Sequence, residues 1–240
     1  MIRILLTAMF CMVAAPAWAQ MTAIYSGEEG SIGVRVEISV SGDVRISGEG
    51  ERDGMMILGG EAYLLSDGPA GPEVMRASDF AAASAEQFAK LPIPRDSGVA
   101  PRFTLKKRGE VTVNGRIGTA YDIDIPGIEH SGGPALVISA DPALAPLGAA
   151  MAMQFESALT GMPAQARKLF PFDEMLAILK TGAPLTFSGM ELVSVDTGPI
   201  PPARFVLPAA PMTPDEVRAH VAKNFPYPKS EVGVETHPAP

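Results

Sequence analysis

Residues 110–125, EVTVNGRIGTAYDIDI, decide the fold. Asn114-Gly115 separates two β-rich runs. Asn-Gly is the pair that most readily takes φ > 0 at both central positions of a type I′ turn, whose twist matches that of the strands it joins. Ahead of the turn, Val111 and Val113 share one face, with Glu110 and Thr112 on the other. After it, Ile117, Thr119 and Tyr121 share a face that Ile123 and Ile125 continue, while Asp122 and Asp124 point away toward water. The stretch reads as a half-buried antiparallel hairpin, and the rest of the chain reads as a sheet built around it.

Working toward the N-terminus, Ile32, Val34, Val36, Ile38 and Val40 alternate with Gly33, Arg35, Glu37 and Ser39, which predicts a strand with one face buried and one wet. Turns at 41–43 and 59–60 then separate further short apolar runs over 44–46, 55–58 and 62–65, the pattern of a meander. Val74 and Met75 predict a short strand, and Ser78 is the expected N-cap of a helix carrying Asp79, Phe80 and Phe88. Pro92 and Pro94 end it.

Working toward the C-terminus, Leu136, Val137 and Ile138 form a short apolar strand. Asp141-Pro142 opens a helix that runs to Leu159, with the acid at N-cap and proline at N1. A further helix is expected up to Phe170, broken by Pro171, with helical character resuming over 174–180. Strands return over 185–195, and a last strand end is expected at Phe205-Val206-Leu207. Thr213-Pro214-Asp215-Glu216 caps a final helix through Asn224.

The first residues are read as a sorting signal: Arg3, an apolar run from Ile4 to Val13 too short to span a bilayer, and Ala17-Trp18-Ala19 as a small-x-small cleavage site. An uncleaved anchor is the alternative, which the short run disfavours. Phe10 ahead of Cys11 disfavours lipid attachment. The expected organisation is a signal peptide over 1–19, a single domain over 20–226 and a disordered tail over 227–240, with the mature protein periplasmic. Cys11 is the chain's one cysteine, so the expected mature form has no disulfide or thiol chemistry. Loss of Arg3 takes the formal charge from −8 to −9. Lys106-Lys107-Arg108 is too short a basic run to track a phosphate backbone, so nucleic acid is not expected as a partner. No later stretch reaches spanning length, so no stable membrane insertion is expected.

The order of parts resembles a known family. Its bearers here are Gly42-Asp43-Val44-Arg45-Ile46 after an exposed turn and the strand pair over 56–65. They are followed by the strand–Gly–strand unit from Val113-Asn114-Gly115 to Tyr121 and by the ending Pro201, Pro202, Phe205, Pro208. These resemble the DUF4412 family of exported bacterial proteins, which is similar in layout to the outer-membrane lipoprotein carriers LolA and LolB. The family often has Tyr directly after that glycine, where this chain has Arg116. The resemblance implies an α+β fold: a curved antiparallel β half-barrel with helices packed in its concave face, a shape able to enclose acyl chains.

Catalytic and metal signals are weak. A metal site needs converging His, Cys or carboxylates, and His130, His220 and His237 lie far apart in sequence without ligand spacing. Glu129-His130-Ser131-Gly132-Gly133 lacks the G-x-S-x-G pattern of a nucleophile elbow. No phosphate-binding glycine loop is present, and no cofactor is expected. Asp122 and Asp124 on a wet hairpin face serve edge protection more often than acid–base chemistry.

What remains is the Met-rich apolar helical stretch. Methionine adapts to irregular apolar shapes and recurs on promiscuous binding surfaces. The bland reading is a core-filling layer. The functional reading is that Met151, Met153, Phe155, Phe170, Phe172, Met175 and Leu179, with Tyr121 opposite, line an apolar cavity between helices and sheet. On that reading Val111, Val113, Ile117 and Tyr121 form the facing wall. The expected function is a non-enzymatic, monomeric binding or carrier protein whose partner is a lipid, acyl chain or lipoprotein. A cell-envelope interaction module without a small ligand, and a hydrolase, are the alternatives.

Overall fold

The structure, a computed structural model, describes residues 20–27, 33–48, 53–89, 103–124, 133–160, 162, 167 and 170–224. Its central strand is one the alternation argument passed over. Met21, Ala23 and Tyr25 alternate with Thr22, Ile24 and Ser26, and the run forms β1 (Met21–Ser26). On one side of β1, five strands step outward in sequence order: β2 (Val34–Ile38), β3 (Val44–Gly48), β4 (Gly54–Leu58), β5 (Glu61–Gly68) and β6 (Gly71–Arg76). Helix α1 (Ala77–Phe88) leaves that edge.

The chain resumes at the opposite edge with β7 (Thr104–Val113). It steps inward through β8 (Arg116–Asp124), β9 (Leu136–Ser139), β10 (Ala183–Phe187) and β11 (Met190–Asp196), which pairs with β1. The product is one open antiparallel sheet of 11 strands, order β6-β5-β4-β3-β2-β1-β11-β10-β9-β8-β7. Between β9 and β10 lie one turn of 3-10 helix (Pro142–Leu144), α2 (Ala145–Thr160) and α3 (Phe172–Leu179). Helix α4 (Pro214–Asn224) follows β11.

Local chemistry explains most of these elements. Asn114 and Gly115 take φ of 47° and 79°, as a type I′ turn requires. Asn114 also donates from Nδ2 to the Leu192 carbonyl at 3.1 Å. In the sheet order β9 and β10 lie between β8 and β11, so the hairpin tip reaches across two strands. Asp141 accepts from the Ala143 N–H at 2.9 Å and caps the 3-10 turn that runs into α2. Gly148 of α2 sits against Gly182: a Cβ at Gly148 would lie 2.5 Å from the Gly182 carbonyl oxygen, so only glycine lets the helix seat there. At α4, Glu216 accepts from both the N–H and the hydroxyl of Thr213 at 2.8 Å, and Thr213 Oγ1 accepts from the Glu216 N–H at 3.4 Å. This is a reciprocal capping box.

Both faces of the sheet are covered in part. On one, Met21, Ala23, Tyr25, Val36, Ile38, Val44, Ile46 and Ile57 form the main core with Leu144, Leu147, Ala150 and Met151 from the helical segment. Each large side chain buried this way contributes about 1.5–3 kcal/mol. Tyr25 donates from its buried hydroxyl to the Pro184 carbonyl at 2.7 Å, and burial pushes that phenol well above its ordinary pKa. On the other face Met56, Leu65 and Val74 are covered by Phe205, Leu207 and Ala209 from the segment after β11.

Several expectations are corrected. Ser78 is not the N-cap of α1: β6 runs straight into the helix, Arg76 takes the cap position, and no side chain caps it. Phe205-Val206-Leu207 is not a strand. Pro202–Phe205 forms a 3-10 turn instead, where Pro199, Pro201, Pro202 and Pro208 supply no ladder N–H. Val40 lies beyond β2 and is 61% exposed, because the chain turns at Ser39, whose N–H donates to the Asp43 carbonyl.

The face of β2 expected to be wet holds Glu37, only 5% exposed and gripped by Arg204 through Nε and Nη2 at 2.6–3.1 Å. Val111 and Val113 stand opposite Gly118 and Arg116, so they share a face with Ala120 and not with Ile117 or Tyr121. Ile117 is 65% exposed and is no part of a wall against the helices. The helix expected to end at Phe170 falls mostly outside the described residues, as do the signal segment and the tail.

Candidate functional site

Two groups of helices share the sheet's helix-bearing face. α2 lies against β10, β2 and β1, with α3 packed on it. α1 and α4 pack together beside β5 and β6, where Met75 and Leu64 meet Phe80, Ala83, Val217 and Val221. The two groups approach each other where α1 nears α2. A cleft of about 440 Å³ lies there, floored by Ile57 and Ala62 of β4 and β5 and bounded by Gly60 and Glu61 at their turn. Ala77 and Ser78 of α1 form one side, and Met153, Glu156, Ser157 and Thr160 of α2 form the other.

Spacing explains the α2 side. Residues 153, 156, 157 and 160 follow i, i+3, i+4, i+7 and so lie along one stripe of the helix. Small residues explain the opening: Gly60, Ala62 and Ala77 put little bulk between the two helix groups. Glu61 is held by Arg76 Nε at 3.2 Å and accepts from the Tyr63 hydroxyl at 2.9 Å. That hydrogen bond to Glu61 is the first cause holding the Tyr63 phenol above its ordinary pKa. Glu156 lies 3.6 Å from Lys180 Nζ, and its backbone carbonyl accepts from Thr160 Oγ1 at 3.1 Å.

The structure divides the residues expected to line a cavity. Met153 lines the cleft. Met151 lies in the main core. Phe155, Met175, Leu179 and Tyr121 gather with Leu136, Ile138 and Phe187 in a second packed cluster under α2 and α3. Phe172 joins it through Phe155, their ring centroids 6.0 Å apart, and Phe155 meets Phe187 edge-on at 6.4 Å. Phe170 is 43% exposed and stacks on Phe103 at 4.5 Å, with Phe172 at 5.3 Å behind it. An aromatic file thus runs inward from the surface at Phe170, and its inner members fill space.

Sequence reasoning passed over Glu61, Ala62, Ala77, Ser78, Glu156, Ser157 and Thr160. The signal available was the polar stripe at 156, 157 and 160 on an otherwise apolar helix.

Among the described residues no cluster of three or more His, Cys, Asp or Glu converges as a metal site, and no helix is long and apolar enough to cross a membrane. His220 approaches Glu73 at 3.3 Å through Nδ1 and Asn224 at 3.0 Å through Nε2, tying α4 to β6. Glu129, His130, Ser131 and His237 lie outside the described residues. No family model matches the chain, and no curated protein or solved structure matches it either.

Proposed function

We propose that this chain is a periplasmic, non-enzymatic carrier that takes up an apolar ligand, a lipid, acyl chain or lipoprotein, between helices and sheet. The observation that carries the reading is the cleft over β4 and β5, whose apolar lining of Ile57, Ala62 and Met153 adjoins the main core. Ligand sites favour concave, largely apolar places with a few polar groups at the edge, and a volume of about 440 Å³ falls in their usual range. The open antiparallel sheet, with α2 and α3 laid on one face and its β7–β8 tip drawn across to β11, supports a curved half-barrel of the LolA/LolB kind. The test is native mass spectrometry of protein extracted gently from its own envelope, together with uptake of a neutral fluorescent acyl probe. Bound lipid and saturable uptake are expected. Apo protein alone, with no uptake, refutes the carrier.

A second reading, an envelope interaction module without a small ligand, draws on the exposed Ile117 and Val193, apolar side chains on strands β8 and β11. It predicts loss of a protein partner, with probe uptake absent from the start, when both are changed to Ser.

A further inference from the structure

We propose that the mature chain closes its first residue, Gln20, into an uncharged lactam, a covalent modification that the fold itself promotes. The inference rests on the reading of residues 1–19 as a leader cut after Ala19, and it is independent of the cleft. Removal of that leader turns the Gln20 backbone nitrogen into a free α-amine. A glutamine in this place carries its own electrophile, because attack of the amine on its side-chain amide carbon Cδ closes a five-membered ring.

The structure tethers Gln20 at both ends. Met21 opens β1, pairs with Ile38 and is 1% exposed, so the backbone just after Gln20 is fixed. At the side-chain end, Gln20 Oε1 accepts from the Ile200 N–H at 3.3 Å. Gln20 is half-buried at the edge of a hollow of about 250 Å³. Val40, Ile200, Pro202 and Phe205 give that hollow an apolar wall, which suits a neutral lactam better than an ammonium. Asp43, the one carboxylate among the lining residues, is engaged elsewhere: Oδ2 accepts from the Ser41 hydroxyl at 2.6 Å and Oδ1 from the Gly59 N–H at 3.0 Å.

An α-amine is partly unprotonated at neutral pH. As the neutral amine attacks Cδ, a C–N bond forms and the carbonyl electron pair moves onto Oε1, where the Ile200 N–H stabilises the developing negative charge. Collapse of that intermediate breaks the Cδ–Nε2 bond. Nε2 leaves as ammonia with the proton given up by the α-nitrogen, and no other reactant is consumed. The product still carries a carbonyl oxygen able to accept from the Ile200 N–H. It offers no free amine to an aminopeptidase, which protects the start of the sheet's central strand.

The experiment takes the purified chain with a removable N-terminal tag, cut so that Gln20 becomes the first residue. Intact mass then follows the loss of one ammonia at neutral pH, in native buffer and in urea. The folded chain is expected to cyclise roughly tenfold faster than the unfolded one. Ile200→Pro deletes the donating N–H and should fall to the unfolded rate. Where that variant fails to fold, the comparison of native buffer with urea on the unaltered chain decides. Protein exported with its own leader should begin at Gln20, be lighter by one ammonia and resist aminopeptidase.

Equal rates in native buffer and urea, or a folded Ile200→Pro chain that keeps the full rate, overturns the fold-promoted modification and leaves the leader reading intact. An exported chain that begins at Gln20 with a free amine does the same. An exported chain that keeps residues 1–19, or begins elsewhere, overturns the leader reading and the proposal with it. Acyl-probe uptake by the same samples reports on the carrier separately.

Discussion

The two ends of the helix-bearing face differ in what sits beneath α2. Toward β9 and β10, Phe155 meets Phe172 and Phe187, and Leu136, Leu179 and Met175 fill the rest. Toward β4 and β5, the same helix presents Met153, Glu156, Ser157 and Thr160 to a floor kept low by Ala62 and Gly60. One helix therefore closes one end with aromatic bulk and leaves the other open with small and polar side chains. Apolar character alone does not mark a binding place: the end richest in Phe and Met is the end already filled by its own side chains. The open end is the one lined by small residues, Gly60, Ala62 and Ala77.

Three changes bear on that contrast, from the largest expected effect to the smallest. Leu179→Ala removes a side chain that is fully buried in the packed end, and it should cost about 2–5 kcal/mol in urea unfolding. A loss under about 1 kcal/mol would mean that end is loosely filled and the contrast false. Ala62→Leu at the open end should change stability by no more than about 0.5 kcal/mol, because its added bulk enters free space, yet it should abolish acyl-probe uptake. Large destabilisation there would show that the cleft closes in solution.

The smallest effect is one of pH at α4, which packs on α1 beside the cleft. Hydrogen bonds from the Thr213 N–H and then its hydroxyl hold the Glu216 carboxyl below its ordinary value of 4.5. A carboxyl depressed in the folded state stabilises it above that ordinary value, and the contribution is lost as pH falls through the lower, folded-state value. Thermal melting should therefore show a small acid-side fall in the unaltered chain that is absent in Glu216→Gln.

Much of the sheet was legible because its cues are local. Asn114-Gly115 set a turn whose φ values the sequence alone dictates, and Asp141-Pro142 marked a helix start that the capped 3-10 turn confirms. β1 was harder to read because its alternation spans only six residues directly after the expected cleavage site. Glu37 looked wet because its partner Arg204 stands 167 residues away, and no local pattern reports such a pairing. The α3 segment and the strands of 183–196 followed from apolar runs, whereas Phe205 to Leu207 combined strand-like residues with prolines that deny the ladder its donors.

The candidate site was less legible for a related reason. Met and Phe advertise themselves in a sequence, but the cleft is defined by absence of bulk at Gly60, Ala62 and Ala77, which composition does not reveal. Of the apolar residues that the sequence marks as cavity lining, Met153 alone reaches the cleft, because it shares a helix stripe with Glu156 and Ser157, while Met151 and Phe155 face the core and the aromatic file.

The pairing of β1 with β11 has a kinetic consequence. Ala23 lies opposite Val195, so the two meanders on either side can each assemble from near neighbours while the seam between them waits for nearly the whole domain. Loop closure over such a distance is slow relative to hairpin formation. Until it happens both β1 and β11 present a bare edge in the middle of the future sheet, the kind of surface that recruits other chains. The first strand made is thus the last to be sealed, and the nascent chain depends on whatever shields Met21 to Ser26 in the interval.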